Sequence, residues 1–209
     1  MQTVEQRVEE DGPLGTRDAV RLVCRVCRTI DALHSAGAIH GRLGPSAIAL
    51  PSPLWSDARL RPGASCDDDP ALHSPESEGG DGASAADDAY ALAALLYFLL
   101  TGHRRELAAP EAPARSMRPP PLAVFDAGDD HLELILESAL ALEPAARPAG
   151  VRALCAELDT WLRREGAVAD EPLPWLEGSL PDAPAVDVAS LPPPPKAEPA
   201  AAARERPER

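Results

Sequence analysis

Apolar positions along the chain fall into runs with helical spacing, separated by polar, Pro-rich stretches. Ala19, Leu22, Val23, Val26, Ile30 and Leu33 recur at intervals of three and four, which predicts an amphipathic helix from about Thr16 to Ala36. Thr16 stands where a side-chain oxygen can accept from a free N–H at the helix start, and Gly37 where the chain can turn left-handed at its end. Over 87–101 the pattern changes. AYALAALLYFLL is apolar nearly all round, so this helix is expected to lie buried in the centre, closed by Gly102. Two further amphipathic segments, 129–142 and 149–164, flank EPAARP and predict a helix, a turn and a helix.

Between the first two helices, Ile48 to Leu50 and Ala58 to Leu60 read as two short strands around a PSPLWSD turn. Residues 61–86 are rich in Gly, Ser, Asp and Pro and read as an irregular loop. From Gly166 the chain turns to Pro, Ala and charge, with too little apolar surface to offset the entropy of ordering it. The expected organisation is a short N-terminal segment, 1–15, one folded unit, 16–165, and a Pro/Ala-rich disordered tail, 166–209. Pro192 to Pro195 within that tail read as linker.

Composition narrows the class. Hydrophobic residues make up 44% of the 209 residues but aromatics only 3%, which favours packed helices over an aromatic-rich sheet. A formal charge of −14 argues against nucleic acid as a partner, because phosphate binding draws on clustered Lys and Arg. The chain's only lysine, Lys196, lies in the tail, so chemistry that needs a buried lysine has no candidate. Cys24 and Cys27 form a CxxC inside a helical pattern, with no second pair at zinc spacing, and read as core. The acidic cluster Asp67, Asp68 and Asp69 reads as solvated charge. The N-terminus lacks a basic start followed by an apolar run, and the longest apolar run is too short to span a bilayer. A soluble, cytoplasmic protein without membrane contact is expected.

Four segments then carry a resemblance, in order and at matching spacing. They are GPLGTRDAVRLVCRVCRTIDALHSAGAIHGRLGPSAIAL, SPE at 74–76, DDAYALAALLYFLLTG, and LALEPAARP at 140–148. Together they resemble the C-terminal lobe of a bacterial serine/threonine protein kinase over roughly residues 5–163. The first resembles the helix leading into a catalytic loop that active members write H-R-D-L-x-x-x-N, the second the end of the activation segment, and the third the central helix that holds the loop. The resemblance implies a mainly α fold with one or two short hairpin strands. It implies that Asp88 holds the loop around His40 to Arg42, and that Glu76 and Arg147 form a buried ion pair.

The catalytic positions fare differently. Phosphoryl transfer needs a carboxylate to orient the hydroxyl, metal ligands from the loop Asn and the DFG Asp, and a lysine on the phosphates. After His40, the loop places Arg42 at the base, Gly44 at the loop lysine and Ala47 at the Asn. Arg61, Pro62 and Gly63 are the best candidate for DFG, which puts a guanidinium at the metal-binding Asp. The chain begins at what would be the hinge, so the N-terminal lobe, with its Gly-rich loop and VAIK strand, is expected to be absent. If Met1 is a misassigned or truncated start, a restored lobe still leaves Arg42, Ala47 and Arg61 in place.

No cofactor, no metal site and no catalytic residue is therefore expected. The resulting expectation is an inactive, pseudokinase-like module that binds a protein partner or itself through the face normally covered by the N-lobe, lined by Ile39, Leu43 and Leu50. The alternative is an atypical or truncated phosphotransferase whose N-lobe is supplied elsewhere; about 13 residues of activation segment between Gly63 and Glu76 leave it little platform for a peptide substrate. His40-Gly41 is also similar to the HGD of aminoglycoside-type phosphotransferases, again with Arg42 in place of the Asp.

Overall fold

Helix α3 (Ala85–Thr101) lies at the centre of the helical part: every residue from Asp88 to Thr101 is buried, as its unbroken apolar character requires. Ser84 and Asp87 close its start reciprocally, the Asp87 N–H donating to the Ser84 hydroxyl (3.2 Å) and the Ser84 N–H to the Asp87 carboxylate (2.8 Å). Gly102 ends it at φ 71°, in the left-handed region. The computed structural model describes residues 1–41, 43–61, 72, 74–75, 84–104, 119–167 and 172–174. Among these, the remaining elements are β1 (Gln2–Thr3), α1 (Val4–Asp11), α2 (Thr16–Ser35), β2 (Ile48–Leu50), β3 (Arg59–Leu60), α4 (Asp130–Ala139) and α5 (Val151–Arg164).

The chain is mainly helical. α2 lies against both α3 and α5, and α4 packs on both as well. The inward face of α2 carries Ala19, Leu22, Val23, Val26 and Ile30, together with Val20, Cys24 and Cys27. Its start differs from the cap read in the sequence. Gly15 is the N-cap and Thr16 the first helical residue, and the Thr16 hydroxyl accepts instead from the Gly128 N–H (3.1 Å), tying α2 to the turn before α4. α4 ends at Ala139, three residues earlier than its periodicity predicts.

The strands form one small antiparallel sheet in the order β1-β2-β3, with Gln2 opposite Leu50 and Ile48 opposite Leu60. Residues 1–15 are more than a lead-in. β1 joins this sheet, and α1 buries Val4 and Val8, one turn apart, against it. The signal was present as Thr3-x-x-Gln6: the Gln6 N–H donates to the Thr3 hydroxyl (3.3 Å) and the Thr3 N–H to the Gln6 side chain (3.0 Å).

A second feature lies where composition alone indicates tail. Leu173 is 1% exposed; its N–H donates to the Arg25 carbonyl (3.1 Å) and its carbonyl accepts from the Thr29 hydroxyl (2.6 Å). The Pro174 carbonyl accepts from the Leu60 N–H (2.9 Å), so this short strap joins α2 to the outer edge of β3. Flanking prolines restrict the chain before it docks, which lowers the entropy that one buried leucine must offset. No helix among the described residues is long and apolar enough to cross a membrane.

Candidate functional site

The candidate site is the turn between α2 and β2. Gly37 (φ 80°) reverses the chain after α2, and Gly41 takes φ 69°, a conformation that side chains other than glycine rarely adopt. The turn is held from beneath by Asp88, in the first turn of α3 and 1% exposed. Its carboxylate accepts from the His40 N–H (3.0 Å) and the Gly41 N–H (2.8 Å), and lies 2.7 Å from His34 Nε2. A carboxylate suits this place because the free N–H groups at a helix start are electropositive.

Beyond the turn, Pro45–Ala47 form a single 3-10 turn that feeds β2. Ala47 is fully buried, and its carbonyl accepts from the Arg61 N–H at 2.8 Å. His40 Nε2 lies 3.4 Å from the Arg61 carbonyl. The structure thus brings His40, Ala47 and Arg61 together over Asp88. Burial lowers the His40 pKa from its ordinary 6.5, and the neighbouring Asp88 charge offsets this only in part. Gly44 and Ala47 offer no polar side-chain atom to this site, and Arg61, which is exposed, contributes its backbone N–H and carbonyl.

A further cluster secures the start of α3. Ser74 is fully buried and its hydroxyl donates to Asp87. Although burial works against it, bonds from Ser74 and Ser84 hold the Asp87 carboxyl below its ordinary 3.8. Arg147, 9% exposed, donates through Nε to the Ala141 carbonyl (2.7 Å) and through Nη2 to the Leu142 carbonyl (3.1 Å), with its guanidinium 4.7 Å from the centre of the Tyr90 ring. Arg42, Pro62, Gly63, Glu76 and the Asp67–Asp69 cluster lie outside the described residues.

The apolar face expected beside the loop is smaller than its residues suggested. Ile39 is 40% exposed, but Leu43 (2%) and Leu50 (3%) turn inward, Leu43 into the core beneath the loop and Leu50 within β2. Their contribution is to fix the loop, not to offer a surface.

No family model matches the chain. The serine/threonine-protein kinase PknK of Mycobacterium bovis is 28% identical over 190 residues, spanning 82% of this chain and 17% of that protein, and PknK of Mycobacterium tuberculosis matches to the same extent. Among solved structures, the kinase domain of Mycobacterium tuberculosis PknI superimposes with a TM-score of 0.61 at 24% identity, covering 76% of this chain and 60% of that one. The fold of the chain is protein kinase-like. A Rad53 fragment in complex with AMP-PNP shares the fold at a TM-score of 0.58 and 19% identity, over 74% of this chain and 43% of that one. In the kinase-like lobe defined this way, α2 is the helix that enters the loop and α3 the helix that carries Asp88. The lobe spans only a small part of the PknK length, 17%.

Proposed function

We propose that this kinase-like lobe is a catalytically inactive binding module: it keeps the kinase loop for its shape and engages a protein partner, or a second copy of itself, beside that loop. The observation that carries this reading is the pair of residue types at 47 and 61, which a 2.8 Å backbone bond holds side by side. These positions resemble those at which active kinases place their two metal ligands, and here they hold a buried alanine and an exposed arginine. Mg²⁺ demands oxygen ligands in near-octahedral array, and a permanent positive charge opposes its binding. The parts that support folding, such as Asp88 beneath the loop, are present, so the supporting architecture stands without the groups for phosphate transfer.

A second reading rests on the relatives. PknK is a serine/threonine-protein kinase and this chain spans 17% of its length, which favours a phosphotransferase whose remaining parts are carried elsewhere. One experiment separates the two. On the inactive reading, ATP with Mg²⁺ leaves the melting temperature unchanged and no labelled phosphate is transferred to a generic protein substrate. A nucleotide-dependent rise in melting temperature that vanishes on mutating residues 40–47, together with phosphate transfer, establishes the second reading and overturns the first.

A further inference from the structure

The strap and the candidate site meet at two adjacent residues. On the outer edge of β3 the Leu60 N–H donates to the Pro174 carbonyl (2.9 Å), and on the opposite side the Arg61 N–H donates to the Ala47 carbonyl (2.8 Å). Successive N–H groups along an extended chain point to opposite edges, so whatever fixes the first also sets the direction of the second. The Arg61 carbonyl in turn lies 3.4 Å from His40 Nε2. Leu60 is fully buried and pairs with Ile48, and the peptide that joins it to Arg61 is held by the strap on one side and by the site on the other.

The strap itself is lightly held. Of its three residues only Leu173 is buried, while Pro172 and Pro174 are exposed. Its bonds reach α2 and β3: the Leu173 N–H donates to the Arg25 carbonyl (3.1 Å), the Thr29 hydroxyl to the Leu173 carbonyl (2.6 Å), and the Leu60 N–H to Pro174. Because proline has no N–H, that of Leu173 is the strap's sole donor, and seating it leaves none unpaired. A unit with one buried side chain and hydrogen bonds at a sheet edge opens locally at a lower cost than the helices around it.

We infer that the strap is a releasable latch on the candidate site. With Leu173 seated, Leu60 and Arg61 are fixed, and the Arg61 backbone supports Ala47 and His40. With Leu173 out of its seat that support is lost while the helices stay folded. Pro174 is the last described residue and residues 175–209 follow it, so a protein that takes hold of this tail acts on the site through the latch. The inference goes beyond the proposed function and is the same whether the loop serves binding or phosphate transfer.

The test is amide hydrogen exchange followed by NMR on the full chain. In the unsubstituted protein the Leu173, Leu60 and Arg61 amides should exchange through one shared opening that leaves the α3 amides protected. In Leu173→Ala, the Leu60 and Arg61 amides should approach within about tenfold of the free-peptide rate while α3 stays slow, and the His40 ring resonances should shift. Thr29→Val keeps the shape of the side chain, removes its bond to the strap and should give the same pattern in weaker form, which serves if Leu173→Ala folds poorly. The inference is overturned if Leu60 loses protection while Arg61 and His40 keep their original values, if neither amide changes, or if both exchange only together with α3.

Discussion

The carboxylate of Asp88 ties two separate segments to the head of α3 while almost wholly removed from water. Replacing it with alanine strands the N–H groups of His40 and Gly41 and the ring of His34, and Asp88→Ala should destabilise the fold by about 2–4 kcal/mol in urea unfolding. Asp88→Asn keeps one acceptor and should cost roughly half as much. His40 sets a pH dependence of its own. Its folded pKa lies below 6.5, so just under that pH the unfolded chain binds more protons than the folded one. Stability should fall as pH drops from 6.5 and level off once the folded form titrates too; denaturation midpoints between pH 8 and 5 would show the slope, and His40→Gln should flatten it. Asp87 acts in a separate, more acidic window, because its pKa is lowered from 3.8 and its contribution is lost only as pH falls through that range.

At the scale of elements, the strap gives the clearest expectation. Leu173 is buried between α2 and β3, and Leu173→Ala should cost about 2–3 kcal/mol in thermal or urea unfolding, as large-to-small core changes do. A loss under about 0.5 kcal/mol would mean that the strap contributes nothing beyond ordinary surface contact. The long elements were legible because periodicity reports burial directly: α2 and α3 follow their apolar patterns, and β2 occupies Ile48–Leu50 as read. Short elements were not, for a physical reason. α1 buries only two residues, too few to produce a period, and the strap buries one, with its hydrogen bonds supplied by partners distant in sequence. α4 stops early because the carbonyls of Ala141 and Leu142 turn out to meet Arg147, a contact that no local pattern records. In the candidate site, the residue types at 40, 44, 47 and 61 were readable in advance. The meeting of His40, Ala47 and Arg61 was not, since the Ala47 to Arg61 bond depends on the register of the β2/β3 hairpin.

Across the whole molecule, the proposed inactive module rests on the residue types at 47 and 61, and the described lobe supplies the architecture around them: α2 enters the loop and α3 holds it through Asp88. The central helix has one more consequence. α3 offers water no polar flank beyond its first turn, so it cannot persist as a lone helix and must form together with the elements that cover it. During synthesis α3 leaves the ribosome before α4 and α5 exist, carrying an apolar surface that α2 and the segment before it can only begin to shield. The interval until α5 emerges is when this chain is most exposed to aggregation, and when a holding chaperone would matter most.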